Sequence, residues 1–123
     1  MKTIHTDNAP AAIGPYSQAQ VVGNLVFTSG QIAIDPKSGE IAGDTIEAQT
    51  KQVCENIAAL LKAANTDISK VVKTTCFLRN MEDFAAFNAV YAEYFVGKPA
   101  RSCVAVRELP KNVLVEIDTI TEI

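Results

Sequence analysis

The chain has no tryptophan and a single histidine, His5; its three cysteines, Cys54, Cys76 and Cys103, include no Cys-x-x-Cys pair. An odd, scattered set of thiols does not make a disulfide framework. One histidine without paired cysteines does not make a Cys/His zinc site, so no metal is expected and the thiols read as reduced. No apolar run approaches the roughly 20 residues that a membrane-spanning helix needs. Met1-Lys2-Thr3-Ile4-His5 opens no long apolar stretch of the kind that begins a secretory signal. The expectation is therefore a cytoplasmic protein with no membrane partner. Basic charge is scarce too: eleven lysines and arginines against fourteen acidic residues leave a net charge of -3, which argues against a nucleic-acid partner. GxxxxGK[ST], GxGxxG, HExxH, DxDxDG and GxSxG are all missing, so nucleotide, metal and serine-hydrolase readings have no motif behind them.

What remains is an ordinary globular composition, 48% hydrophobic and 20% charged over 123 residues, read as one domain spanning residues 1–123. A chain of this length buries roughly two thirds of its unfolded surface. Asp7 to Pro15, rich in proline, glycine and alanine, forms a stiff irregular loop. Tyr16–Val22 and Leu25–Ser29 read as strands joined by a two-residue turn at Gly23-Asn24. A helix is expected from about Thr45 to Ala64, with Asp44 and Glu47 at the spacing of a capping box and Ile46, Val53, Ile57, Leu60, Leu61 and Ala64 on one stripe. Val71–Leu78 is a strand by its β-branched content. A second helix, about Met81 to Phe95, is offered caps by Asn80 and Asp83 and carries Phe84, Phe87, Tyr91 and Phe95 on one stripe. Ser102–Val106 and Val113–Thr121 are the last two strands, which from their order alone would pair as a hairpin. The pattern is a single sheet with two helices, α+β or α/β. Simple alternation puts Val71 and Phe77 on one side of their strand and Val72, Cys76 and Leu78 on the other, so both sides are apolar. Two helices cover only one face, so a homo-oligomer is expected to cover the second.

Several residues invite chemistry, each with a plainer alternative. Arg101 and Cys103 are two apart in a strand and share a face. Arg101 is either a fork for a small carboxylate or a strand-end arginine in a structural ion pair. Glu116 interrupts an apolar run; with Asp118 it either lines the solvent face or sits in a cleft where it positions or deprotonates a water. Asn88, inside an aromatic stripe, is a structural amide or a site residue. In Thr28-Ser29-Gly30-Gln31, Gly30 permits a close backbone approach to a ligand or simply ends a strand. Tyr16, behind Gly14-Pro15, offers a hydroxyl to a ligand or anchors the loop. Cys103 is a small hydrophobe in most such strands. A nucleophilic role would require an activating base, and the sole histidine is His5.

Taken together, Asn8-Ala9-Pro10-Ala11-Ala12-Ile13-Gly14-Pro15-Tyr16-Ser17-Gln18, Thr28-Ser29-Gly30-Gln31, Phe84-Ala85-Ala86-Phe87-Asn88, Pro99-Ala100-Arg101-Ser102-Cys103 and Leu114-Val115-Glu116-Ile117 resemble the Rid (YjgF) family in order and spacing, end to end. The Pro99–Cys103 segment is the most specific mark. The resemblance implies a chorismate-mutase-like α+β fold, a single mixed sheet with two helices on one face, with the final strand inserted beside earlier ones. It implies a homotrimer with a site in each cleft between subunits. The implied reaction is hydrolysis of 2-enamino and 2-imino acids (2-aminoacrylate, 2-iminopropanoate, 2-iminobutanoate) to 2-oxo acids and ammonia, without cofactor. By position, Arg101 holds the substrate carboxylate, the backbone of Cys103 and the amide of Gly30 contact the substrate, Glu116 positions water, and Tyr16, Ser29 and Asn88 line the pocket. Ala105 and Arg107 depart from the residues common at those places. The alternative is a non-catalytic regulatory protein that binds a small carboxylate. A ribonuclease or translation-inhibiting role, also linked to the family, is disfavoured by the acidic charge.

Overall fold

Eight main elements follow one another in the computed structural model, which describes all of residues 1–123: β1 (Lys2–Ile4), β2 (Ala19–Val22), β3 (Leu25–Thr28), α1 (Ile46–Ala63), β4 (Val71–Leu78), α2 (Phe84–Tyr94), β5 (Ala100–Ala105) and β6 (Val115–Glu122). The strands form one mixed sheet in the order β1-β2-β3-β6-β4-β5. Both helices lie on one face. No helix is long and apolar enough to cross a membrane.

The β2–β3 hairpin closes between Val22 and Leu25, with Gly23 at φ 60°. Positive φ at the first of two turn residues gives a twist that matches the strands and costs glycine nothing. In α1 the expected stripe is the core: Val53, Ile57, Leu60 and Leu61 are wholly buried. The cap differs by one residue from the expectation. Thr45, in extended conformation, takes the Ala48 amide on its hydroxyl at 3.2 Å, so Glu47 falls at the second helical position and no capping box forms with Asp44. The helix ends with Asn65 at φ 61°. There the Asn65 amide donates to the Lys62 carbonyl and the Thr66 amide to the Leu61 carbonyl, at 3.0 and 2.9 Å, the paired closure of a left-handed C-terminus. The segment Met81–Asp83 forms a single tight turn rather than the first turn of α2, and neither Asn80 nor Asp83 caps with its side chain.

The last two strands do not form a hairpin. Strand β5 returns through α2 to lie parallel beside β4, and β6 inserts between β3 and β4, antiparallel to both. A parallel return needs a crossover of α2's length. It leaves β5 on the sheet edge and opens a central slot that β6 fills. Val115, Ile117, Thr119 and Thr121 of β6 are buried beneath the helices, with Thr74, Cys76 and Leu78 of β4.

The opposite face holds Phe27, Phe77, Val104 and Ile120, with Phe27 and Val104 more than 40% exposed. The expected grouping of Val71 with Phe77 is not found. A register shift between Val71 and Lys73 makes Val72 an extra residue, which carries Val71 to the helix side, opposite Thr121, while Phe77 stays on the open side. The face remains apolar without Val71.

The cap assignment is testable. Thr45→Ala should lower stability by about 1 kcal/mol and Asp44→Ala by much less, measured as urea unfolding midpoints; the reverse order would return the cap to Asp44.

Candidate functional site

Strand β5 has one neighbour, and the hydrogen bonding fixes which way its backbone points. The Val106 amide donates to the Leu78 carbonyl at 2.9 Å. Strand alternation then turns Val104 and Ser102 toward β4, and turns the amides and carbonyls of Arg101 and Cys103 outward along the free edge. The two side chains share the helix-side face, in register with Thr74 and Cys76.

Arg101 is half-buried there. Its Nη1 donates to Asn88 Oδ1 at 2.8 Å, and its guanidinium carbon lies 4.8 Å from the Tyr91 ring centre, 5.4 Å from Phe84 and 5.9 Å from Phe87. No carboxylate pairs with it; the one basic-to-acidic side-chain contact within 4 Å in the chain is His5 Nε2 to Asp7 Oδ1 at 3.3 Å. Within the chain Arg101 therefore makes no ion pair, and Asn88 is engaged by the arginine itself. A depression of about 530 Å³ opens beside them, lined by Asn88, Tyr91, Phe95, Lys98, Pro99 and Arg101. Burial pushes the Cys103 thiol up, opposed by the nearby Arg101 charge. A thiol held protonated is a poor nucleophile, and the only histidine is engaged with Asp7. Cys54 and Cys76 are buried, their thiols pushed up by burial, that of Cys76 to about 12.

The second group gathers on the other side of the sheet. Glu116 pairs with Phe77 across β6 and β4 and so points to the open face, half-buried in a cleft of about 360 Å³ lined in part by Tyr16, Gly30, Gln31, Ile32 and Lys111. The carboxylate lies flush against Gly30: a methyl group added there would sit 2.9 Å from the Glu116 carboxyl carbon, so any side chain at this position would push the carboxylate from its place. The flanking Gln31 and Ile117 exchange backbone bonds at 2.8 and 3.1 Å, while Gly30, which lines the cleft, has no acceptor for its amide within the chain. Burial, and then the Asp118 charge, raises the Glu116 carboxyl above its ordinary 4.5.

Tyr16 stands at the mouth, half exposed. Ser29 does not offer its hydroxyl to the cleft; it donates to the Ser17 carbonyl at 2.6 Å and pins the loop that carries Tyr16. Gln18, which the sequence did not single out, holds the same loop from beneath, its amide nitrogen donating to the Thr6 and Pro10 carbonyls at 3.0 and 2.8 Å. A buried glutamine beside a proline-rich loop was the available signal, since loop carbonyls deprived of water need donors. No cluster of three or more histidine, cysteine or acidic side chains is arranged to hold a metal.

One chain thus carries two half-sites. Arg101, Asn88 and Cys103 form a cationic edge; Tyr16, Gly30 and the Glu116 carboxylate line a cleft on the opposite face, with Ser29 holding the Tyr16 loop behind it. The sheet separates them.

Because the folded chain holds the Glu116 proton more tightly than the unfolded one, the stability linked to this group is full below pH 4.5 and is lost as pH rises through the raised value. Glu116→Gln cannot ionise. It should match the parent at about pH 4 and exceed it at pH 7 in urea midpoint; identical midpoints at both would mean that the carboxylate is not desolvated.

The sequence profile described as endoribonuclease L-PSP matches residues 6–123. The chain is 56% identical to the protein named "Putative regulator AldR" of Lactococcus lactis, covering 100% of this chain and 98% of that one. It is 50% identical to a 2-iminobutanoate/2-iminopropanoate deaminase of Salmonella typhimurium, covering 97% and 95%. The crystal structure of the YjgF gene product of Escherichia coli superposes with a TM-score of 0.95 at 45% identity, over 99% of this chain and 98% of that one.

Proposed function

We propose that this chain, which belongs to the endoribonuclease L-PSP family, known also as YjgF or Rid, is a hydrolytic deaminase that converts 2-imino and 2-enamino acids to 2-oxo acids and ammonia. The observation that carries this reading is the division of the site. A guanidinium with no acidic partner stands on a free strand edge, and a desolvated carboxylate stands beside an open backbone amide on the other face. Each supplies what the other lacks. A second copy that seats its Glu116 cleft against the β5 edge completes one site, and three copies in a ring complete three while covering Phe27, Phe77, Val104 and Ile120. The homotrimer is part of the proposal.

In the completed site Arg101 takes the substrate carboxylate through two parallel N–H donors. The outward amides of Cys103 and Gly30 add neutral donors. An enamine is first protonated at C3 to give the iminium tautomer, whose C2 is already electrophilic. Glu116 draws a proton from water as the water oxygen bonds to C2 and the C=N electron pair moves to nitrogen. That proton then passes to the nitrogen, the C–N bond breaks, ammonia leaves, and the hydroxyl left on C2 becomes the carbonyl of the 2-oxo acid as it gives up its proton. A carboxyl raised above 4.5 is better matched to taking and returning a proton near neutrality than an ordinary one. Fixing the carboxylate and the water relative to C2 can lower such a barrier by up to about 7–11 kcal/mol in ideal cases. The chemistry calls for no cofactor. A cytoplasmic location fits substrates released by pyridoxal-phosphate enzymes acting on serine or threonine.

The regulatory name of the Lactococcus relative favours one second reading, a protein that binds the same carboxylate without turnover. With 2-iminobutanoate generated by a threonine dehydratase, this protein should accelerate loss of the imine. Absence of acceleration at stoichiometric protein would decide for the binder. Arg101→Ala removes a charge-assisted pair and should cost roughly ten- to a hundredfold in kcat/KM. Glu116→Gln should keep carboxylate binding while turnover slows. Equilibrium sedimentation should give three times the chain mass, and a monomer would refute the shared site.

A further inference from the structure

We infer that Tyr91 is a positioning residue for Arg101: its ring, held in place by the Thr74 hydroxyl, fixes the plane of the guanidinium so that the edge not taken by Asn88 faces the incoming carboxylate. The inference rests on the reading of Arg101 as the carboxylate clamp and adds what makes that clamp rigid.

An arginine at a strand edge is ordinarily free to swing, and ordering it at each binding event weakens affinity. Here the swing is blocked from several sides. Tyr91 is the nearest of the three rings, at 4.8 Å, and it is itself held by its neighbours. Its hydroxyl shares a 2.7 Å hydrogen bond with Thr74 Oγ1, and Thr74, wholly buried, also receives the Cys76 thiol at 3.7 Å. The Tyr91 ring stacks on Phe95 with centres 4.3 Å apart and meets Phe87 at 5.5 Å. Thr74 is the register partner of Arg101 across β4 and β5. The hydroxyl that locks the ring thus springs from the same rung of the sheet as the arginine that the ring holds.

The chemistry of the support also matters. A guanidinium has five N–H donors and one charge, and a neighbouring aspartate would fix it while spending both. Neutral ring faces attract the charge and consume no donor. Asn88 consumes one donor with a neutral oxygen and leaves the charge intact. Burial raises the Tyr91 phenol above 10, so the ring stays neutral beside the cation. The arrangement holds a cation still without neutralising it, which is what capture of an anion requires.

The test uses the full chain, binding of 2-oxobutanoate as a stable carboxylate probe, and turnover of 2-iminobutanoate. Tyr91→Leu should weaken 2-oxobutanoate binding by about three- to thirtyfold and raise KM by a similar factor. The carboxylate is held equally in ground and transition states, so kcat should be little changed. In an Arg101→Ala background the same substitution should have no further effect, because its action passes through the guanidinium. Equal weakening in both backgrounds, or unchanged affinity in a folded Tyr91→Leu protein, would overturn the inference. Should Tyr91→Leu fail to fold, Tyr91→Phe and Thr74→Val keep the ring or the volume and remove the lock, the second together with the weak Cys76 contact. They should weaken binding about two- to tenfold, again only where Arg101 is present, and parental affinity in both would overturn it. If Arg101→Ala itself binds 2-oxobutanoate as the parent does, the clamp reading falls and this inference with it. An impaired Arg101→Ala beside unaffected Tyr91 and Thr74 variants removes the positioning role alone.

Discussion

Because β6 lies between β3 and β4, β5 is left with a single neighbour, and the positions of Arg101, Cys103 and Glu116 follow from that. A hairpin of the last two strands would have buried the β5 edge and turned Glu116 toward β5. Instead β6 takes the centre, its odd-numbered residues packed under the helices and its even-numbered Glu116 and Asp118 on the open face. Arg101 and Cys103 are thereby placed where backbone donors are unspent, and Glu116 where a carboxylate is half out of water. Burial of one side of β6 forbids any one-residue slip that would exchange the two sets.

Desolvation and its compensation explain most of the polar residues around the two half-sites. Thr28 and Thr119 share a 3.1 Å hydroxyl contact, and the Thr28 oxygen accepts the Thr119 amide at 3.0 Å, so the sheet beside Gly30 is filled by side chains that satisfy one another. Asn56 of α1 donates to the Ile32 and Ile34 carbonyls at 3.1 and 2.9 Å, fixing the loop that walls the Glu116 cleft. Gln49 reaches from α1 to the Gly43 carbonyl and accepts the Leu114 amide, anchoring the approach to β6. Each bond replaces water lost by a loop backbone, and together they set the rim of the cleft.

What could be read from the residues divides along the distance over which each interaction acts. The α1 stripe was legible because helical spacing puts Val53, Ile57 and Leu60 on one side whatever else the chain does. The shared face of Arg101 and Cys103 was legible for the corresponding reason in a strand. The cap was missed by one residue because Asp44 and Thr45 are both good caps and only backbone conformation chooses between them. Val71 was placed on the wrong side because a bulge breaks the two-residue period, and nothing in Val71-Val72-Lys73 announces it. Asn88 stayed ambiguous because its partner lies in another element. The Thr74–Tyr91 pair joins a strand to a helix through a hydroxyl contact that no periodicity encodes. The course of β6 through the sheet came from resemblance to the Rid family rather than from patterning, since strand order is decided by packing between distant segments.

The exposed edge of β5 has a second meaning. An unpaired strand edge is a template on which any passing extended chain can add itself, the first step toward uncontrolled association. Strand β5 is short, spanning Ala100–Ala105, and carries near its start a cation held in place by its surroundings. A second such edge would bring a like charge with it, and charged side chains on an edge strand oppose pairing of this kind. On the proposed reading, the charge that would hold a carboxylate also discourages the pairing of one β5 edge with another.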